Sequence, residues 1–227
     1  MCFDVSAACS GFITALDIAA SMLKAGSYKY ALVIGSEKMS EIVNWKDRSV
    51  CVLFGDGAGA VVLKAVDNNT EDVTGASAGQ ERGIIDSNIY NDGTGASVLT
   101  GGRRFSDSRS TDIFIHMDGQ EVFKFAVKSV PTAIETLLHN NNMDINDVDK
   151  FILHQANVRI IESVAKRLKA DKDKFPVNLN EYGNTSSASI PILLDELNRN
   201  GSLKQGEKLI LAGFGAGLSW GSILLVW

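Results

Sequence analysis

Cysteine, proline and histidine are scarce in this 227-residue chain, with three of each. Cys2, Cys9 and Cys51 form no CxxC pair, which argues against a disulfide framework or a structural zinc site and predicts a reducing, cytoplasmic setting. No run of about 18 apolar residues occurs, so no segment reads as a membrane span. No basic stretch precedes the first hydrophobic segment, and no secretory leader is expected. A GxxxxGK(S/T) loop is absent, which removes the commonest nucleotide-phosphate cradle. The formal charge of −5 is mild and argues against nucleic acid as a main partner. What remains is a globular protein, 45% apolar and 22% charged, able to bury a large core as one domain or two modest ones.

The most informative stretch is Val5-Ser6-Ala7-Ala8-Cys9-Ser10-Gly11-Phe12-Ile13-Thr14-Ala15-Leu16. A short extended run ends in small residues and a cysteine. Phe12, Ile13, Leu16, Ile18, Ala19, Met22 and Leu23 then cover nearly every direction of a helix. Cys9 is thereby expected at a helix N-terminus, where unpaired N–H groups and the macrodipole favour a thiolate. A buried structural cysteine is the competing reading.

Tyr30 to Gly35 reads as a buried strand, Ser36 to Arg48 as a polar surface stretch containing Trp45, and Val50 to Phe54 as a second strand. Gly55-Asp56-Gly57-Ala58-Gly59 then predicts a tight turn into a strand over 60–64. That run leads into a strand and not a helix, so it is no dinucleotide fingerprint. Residues 67–82 are polar and read as a linker, and 83–108 as loop with one short strand. An edge strand is expected over 111–117. A helix is expected from Gly119 to about Asn140, kinked or divided at Pro131. Lys150 to Leu153 predicts a strand ending at His154, and a helix follows over 157–169. Another helix begins near Ser186, with Pro191 in an early turn. The last strands are expected over 208–213 and 220–226.

Leu53-Phe54-Gly55-Asp56-Gly57-Ala58-Gly59 echoes Ala212-Gly213-Phe214-Gly215-Ala216-Gly217. Each copy follows a helix opening in small residues, which points to two similar α/β halves meeting at one site. A thiol (Cys9), an imidazole (His154) and a carboxamide (Asn184) suit acyl chemistry on a thioester with the cysteine as covalent carrier. No paired acids or metal cluster stands out.

The chain resembles the 3-oxoacyl-(acyl carrier protein) synthase III family of the thiolase superfamily. The resemblance lies in Ala7-Ala8-Cys9-Ser10-Gly11-Phe12, Asp47-Arg48, Leu53 to Ala60, Asp118 to Lys124, His154 to Ile161, Gly183-Asn184-Thr185-Ser186 and Gly213 to Gly221. It implies a thiolase-like α/β fold of two duplicated halves in an α-β-α-β-α arrangement. The first half would comprise residues 1–66 and be incomplete, and the second would comprise 67–227. Members carry about a hundred residues before the nucleophile, enough for much of a half-domain. Only eight precede it here, so an N-terminally truncated chain is expected.

The resemblance also implies roles. Cys9 would take a primer acyl group from acyl-CoA, with its tetrahedral intermediate against the backbone N–H groups of Cys9 and Ala216. His154 and Asn184 would then stabilise the enolate formed as malonyl-carrier protein loses carbon dioxide. Phe12 and Phe214 would shape the acyl pocket. Arg159, with Lys166 and Lys169 on the same helix face, would dock the acidic carrier protein. No resident cofactor or metal is implied, and a homodimer is expected. His116 and His139 join no motif, and Trp45 is either a loop-packing aromatic or a contact at the pantetheine entrance. Two other readings stay open: a related condensing enzyme of secondary metabolism, and a non-catalytic fragment that only binds partners.

Overall fold

The computed structural model describes residues 1–66, 82–101 and 113–227. In chain order the main elements are α1 (Gly11–Lys24), β1 (Tyr30–Glu37), β2 (Gly57–Lys64), β3 (Gly83–Asn91), β4 (Leu99–Thr100), β5 (His116–Met117) and α2 (Gly119–Asn140). Then follow β6 (Lys150–Leu153), α3 (Val158–Leu168), α4 (Leu179–Tyr182), α5 (Ser189–Arg199), β7 (Lys208–Gly215) and β8 (Ser219–Val226).

The strands form a four-stranded sheet in the order β3-β8-β7-β6 and two-stranded sheets β1-β2 and β4-β5. Only β6 and β7 run parallel in the larger sheet. Both faces of that sheet are covered, so β7 reads as an unbroken apolar run. Leu209 and Leu211 face α1 and α5, packing with Phe12, Ile13, Leu16, Ile190, Leu193 and Leu194. Ile210, Ala212 and Phe214 face α2 and α3, with Ile134, Leu137, Ile161 and Val164. Val33 of β1 joins the first group. The described residues therefore stack as sheet, helices α1 and α5, sheet, helices α2 and α3: four of the expected layers.

The repeated unit is larger than the glycine echo. A helix followed by an antiparallel strand pair occurs as α1-β1-β2 and again as α5-β7-β8. The glycines do not align within it: Gly57 and Gly59 lie on the second strand of the first unit, Gly213 and Gly215 on the first strand of the second.

Several local expectations are corrected. Residues 50–54 are not a strand. Asp47 accepts hydrogen bonds from Ser49 N (2.9 Å) and Oγ (2.6 Å), and successive turns wind from there to Leu53. Val50 is buried with Met39, Val43 and Ile115, so the 36–48 stretch is not wholly surface. The partner of β2 is β1, across a long connection, and not a local hairpin strand. Gly57 and Gly59 let β2 press on α5: a β carbon at either would come within 2.9 Å of Ile192 or Pro191.

Residues 83–91 form a nine-residue strand, longer than the one short strand expected within the 83–108 loop. Its polar Asn88 is satisfied by distant groups, donating to Ala133 O (2.8 Å) and accepting from Ser222 N (3.1 Å) and Oγ (2.7 Å). Pro131 does not divide α2; burial of Val130, Pro131, Ala133 and Ile134 outweighs the cost of an interior proline, about 3 kcal/mol for the lost bond and the ring clash together. Of the edge strand over 111–117 only His116–Met117 is seen, with 111–112 outside the described residues. The linker over 67–82, and with it the boundary between 66 and 67, also falls outside them except for Arg82.

Candidate active site

Cys9 sits in a single 3-10 turn, Ala8–Ser10, that runs straight into α1. Ala8 has φ 45°, a left-handed conformation that costs a side chain of order 1–3 kcal/mol and marks the elbow as over-determined by its surroundings. The β7 backbone does this. A β carbon on Gly215 would stand 2.9 Å from Cβ of Cys9, 3.1 Å from its N and 3.4 Å from its Cα. One on Gly213 would stand 3.3 Å from Cα of Ser10 and 2.9 Å from Ile13. These two glycines let strand backbone support the nucleophile with no side chain between. Ser10 completes the support: its Oγ donates to Ala7 O (2.7 Å) and accepts from Ser219 Oγ (2.9 Å).

The thiol is not the depressed one that the helix terminus led us to expect. Burial raises the Cys9 pKa to about 11, a hydrogen bond from the Ser186 side chain pulls it back in part, and the nearby Glu37 carboxylate raises it further. The helix field acts on a group that has lost its water, and desolvation wins.

His154 follows β6 and is buried. Its Nδ1 lies 2.7 Å from Ser189 Oγ, which also accepts from Gln155 N at 3.2 Å. With Nδ1 occupied, Nε2 is the nitrogen left for the cavity. Burial drops the His154 pKa to about 3, so the ring is neutral at physiological pH. The Phe214 ring meets it edge-on at 5.2 Å between centroids.

Asn184 follows Gly183, whose φ of 65° lets the chain leave α4 sharply. The Asn184 backbone bonds to Leu53 O (2.8 Å) and Gly55 N (3.0 Å), so the loop after the 47–53 turns holds it in place. Its side-chain Oδ1 accepts from Ser186 N (2.8 Å), which turns the amide nitrogen, a donor, away from that bond. Asn184 thus serves as a local cap and still keeps a donor to offer.

Cys9, His154, Asn184, Phe214 and Ala216 line one cavity of about 330 Å³, walled by apolar side chains that include Met39, Ile42, Leu99, Ile115, Met117, Val122 and Phe123. Ala216 takes its place there without positive φ. Phe12 does not line this cavity. Helix periodicity turns it into the layer between the sheets, with Ile190 and Leu193, which corrects its assignment to the acyl pocket. Arg159 is exposed on the first turn of α3, between Asn157 and Ile160, both of which line the cavity. Lys166 is exposed farther along α3, and Lys169 is its left-handed C-cap with φ 54°. Trp45 is exposed and donates to Ser40 O (3.2 Å); it does not border the cavity.

Sequence reasoning missed Ser189, which orients the imidazole, and Glu37, which lines the cavity. A charged residue closing a buried strand was the available signal for Glu37. For Ser189 there was only a serine one turn into a helix.

Two family models match the chain: 3-oxoacyl-(acyl-carrier-protein) synthase III over residues 3–82, and the C-terminal part of the same synthase over 138–227. A beta-ketoacyl-(acyl-carrier-protein) synthase III of Clostridium acetobutylicum is 46% identical over 232 aligned residues, spanning all of this chain and 67% of the relative. The crystal structure of 3-oxoacyl-(acyl-carrier-protein) synthase III from Aquifex aeolicus superposes with a TM-score of 0.88 at 44% identity, covering 99% of this chain and 67% of that one. The priming beta-ketosynthase of the R1128 polyketide pathway superposes at 0.85 with 36% identity, covering 99% and 65%. The chain spans about two thirds of the length of these relatives.

Proposed function

Because this chain belongs to the 3-oxoacyl-(acyl carrier protein) synthase III family, we propose that its cavity joins an acyl-CoA primer to malonyl-carrier protein, with loss of carbon dioxide, giving a 3-oxoacyl-carrier protein that starts fatty acid synthesis. The enzyme is an acyltransferase of the condensing type. The observation that carries the reading is the convergence of Cys9, His154 and Asn184 on one apolar cavity.

In the first half-reaction Cys9 Sγ attacks the primer thioester, and backbone N–H groups of Cys9 and Ala216 receive the tetrahedral oxyanion. Coenzyme A leaves as the thiol. In the second, malonyl-carrier protein binds and carbon dioxide departs. The charge that develops on the thioester oxygen meets Nε2–H of His154 and the Asn184 amide. A donor of this kind is worth about 3 kcal/mol when aimed at a developing charge. Neutrality of His154 matters: a cationic ring would be an acid able to quench the carbanion. The carbanion then attacks the acyl-cysteine, and the Cys9 sulfur leaves as the new carbon–carbon bond forms.

Arg159, at the cavity's edge, is the proposed first contact for the acidic carrier protein, with Lys166 and Lys169 steering from farther out. We place the enzyme in the cytoplasm as a homodimer. Leu32, Ile34 and Val62 form an exposed apolar stripe on the outer face of β1-β2, the face that the fifth, helical layer of the expected α-β-α-β-α arrangement would cover. No helix among the described residues is long and apolar enough to cross a membrane.

Intact-protein mass spectrometry after exposure to acetyl-CoA and a panel of longer and branched acyl-CoAs tests the first half. An acyl mass is expected on the wild type and absent from Cys9→Ala. Folded wild-type protein that takes up no acyl group from any primer would sink the proposal.

A further inference from the structure

We propose that Ser186 and Glu37 form a proton relay that takes the Cys9 thiol proton during acyl transfer and returns it to the departing coenzyme thiolate, an inference that rests on reading this site as an acyl-transfer centre. A thiol that is protonated at neutral pH needs somewhere to put its proton. His154 is a poor recipient, because Ser189 holds its Nδ1 and burial suppresses its basicity. Among the described residues, Glu37 is the one ionisable group lining the cavity besides Cys9 and His154.

The strand period delivers it there. Val33, Gly35 and Glu37 alternate onto the inner face of β1. Gly35 brings the strand so close that a β carbon on it would stand 2.8 Å from Ser187 O. Two residues on, Glu37 Oε1 accepts from Ser186 Oγ (3.1 Å), Ser187 Oγ (2.6 Å) and Ser187 N (3.3 Å). Ser186 lines the cavity beside Cys9, and its hydroxyl is near enough to the sulfur to pull the thiol pKa down in part. It is held at φ 50°, the second non-glycine residue beside the nucleophile in a left-handed conformation. Sulfur, hydroxyl and carboxylate thus neighbour one another at the cavity wall, the last two joined by a hydrogen bond.

The step balances. As Sγ attacks the thioester carbon, the Cys9 S–H bond breaks and its proton passes to Ser186 Oγ. The hydroxyl proton of Ser186 passes to Glu37 Oε1. When the tetrahedral intermediate collapses, the bond between carbon and the coenzyme sulfur breaks. The proton then returns from Glu37 through Ser186 to that sulfur, leaving acyl-Cys9 and neutral coenzyme thiol. The carboxylate and thiolate charges never need to coexist at close range.

The test compares two rates at Cys9 in wild type, Glu37→Gln and Ser186→Ala at neutral pH. One is acylation by the preferred acyl-CoA, followed by intact mass. The other is alkylation by iodoacetamide, mapped to the Cys9 peptide, which consumes a pre-formed thiolate and returns no proton to a leaving group. Removing the Glu37 charge makes the thiolate easier to form, so alkylation of Glu37→Gln is expected to hold or rise. Acylation is expected to fall about 100-fold, the size of a general acid–base contribution. In Ser186→Ala the thiolate loses a stabilising hydroxyl and alkylation also slows, but acylation slows more, so the ratio of acylation to alkylation drops in both variants. A ratio unchanged from wild type overturns the relay, because a merely distorted site slows both reactions together. Ser186→Ala leaves Glu37 bonded to Ser187, so it decides the question even where Glu37→Gln does not fold. Wild type that alkylates but never acylates removes the functional reading, and the relay with it. Wild type that acylates beside equally fast variants removes the relay alone.

Discussion

Replacing Gly215 by alanine tests the support beneath the nucleophile with one added carbon. That carbon would stand 2.9 Å from Cβ of Cys9 and 3.1 Å from its backbone N. Ordinary carbon contacts lie at about 3.5–4.0 Å, so strand and elbow must separate by roughly 0.6–1 Å. Neither side yields easily. At Gly215 the strand is paired with Ser219 of β8, its pairing with β6 ending at Ala212, and the elbow is tied by Ser10 and by the Ala8 geometry. Overpacking of this kind costs about 1–3 kcal/mol. In a chain of this length each kcal/mol lowers Tm by roughly 2–4 °C, so a fall of a few to about ten degrees is expected by calorimetry. Function suffers more than stability, since misplacing a reacting group by about 1 Å costs on the order of 100-fold in rate. The assay is the time course of acyl-Cys9 formation at a temperature where the variant is fully folded. A Gly215→Ala protein that acylates within about threefold of wild type would refute the view that strand backbone positions the sulfur.

Other outcomes follow from the same geometry. Alkylation of Cys9 by iodoacetamide should rise about tenfold per pH unit from 7 to 10 without levelling, given a thiol near pKa 11; a plateau at pH 8 or 9 contradicts the desolvated environment. His154, with a folded pKa of about 3 against 6.5, remains neutral in the folded protein while the unfolded chain takes up a proton below 6.5. Its contribution to stability is therefore complete above pH 6.5 and is lost toward pH 3, on the order of 1 kcal/mol per pH unit. Urea midpoints between pH 7 and 5 should fall more steeply for wild type than for His154→Asn, and parallel slopes would contradict this. Ser189→Ala frees the imidazole to choose its tautomer. Condensation from acylated enzyme should drop roughly tenfold or more while acylation holds, and an equal loss in both half-reactions would count against an orienting role.

The proposed catalytic set, which the fold does bring to one cavity, was legible because chemistry restricts it to few residue types in short motifs: a cysteine opening an apolar helix, a histidine closing an apolar strand, an asparagine after glycine. Helices α1, α2, α3 and α5 were legible for a related reason, since their apolar faces repeat locally. Pairing was harder. The β3 strand hides its satisfaction of Asn88 in Ser222 and Ala133, more than 40 residues away, and local pattern reads such a residue as loop. The hairpin expected over 50–64 failed because β1 outcompeted the adjacent segment, which Asp47 winds into turns. Charge state was the least legible of all. The fields that a sequence displays at Cys9 favour a thiolate, but the desolvation that overrides them appears only once β7, Phe214 and Glu37 close around the sulfur.

The cavity has a floor and a wall made of different material. Under the sulfur lie main chain and glycines, which have no rotamers with which to absorb an error. Around the acyl end stand Met39, Ile42, Leu99, Met117 and Phe123, long side chains from segments other than β7. For anyone retuning this enzyme toward another primer, that division is a practical map. The wall should accept a change of one methylene at a time with the reaction intact, whereas a single carbon added to the floor is expected to cost about 100-fold in rate.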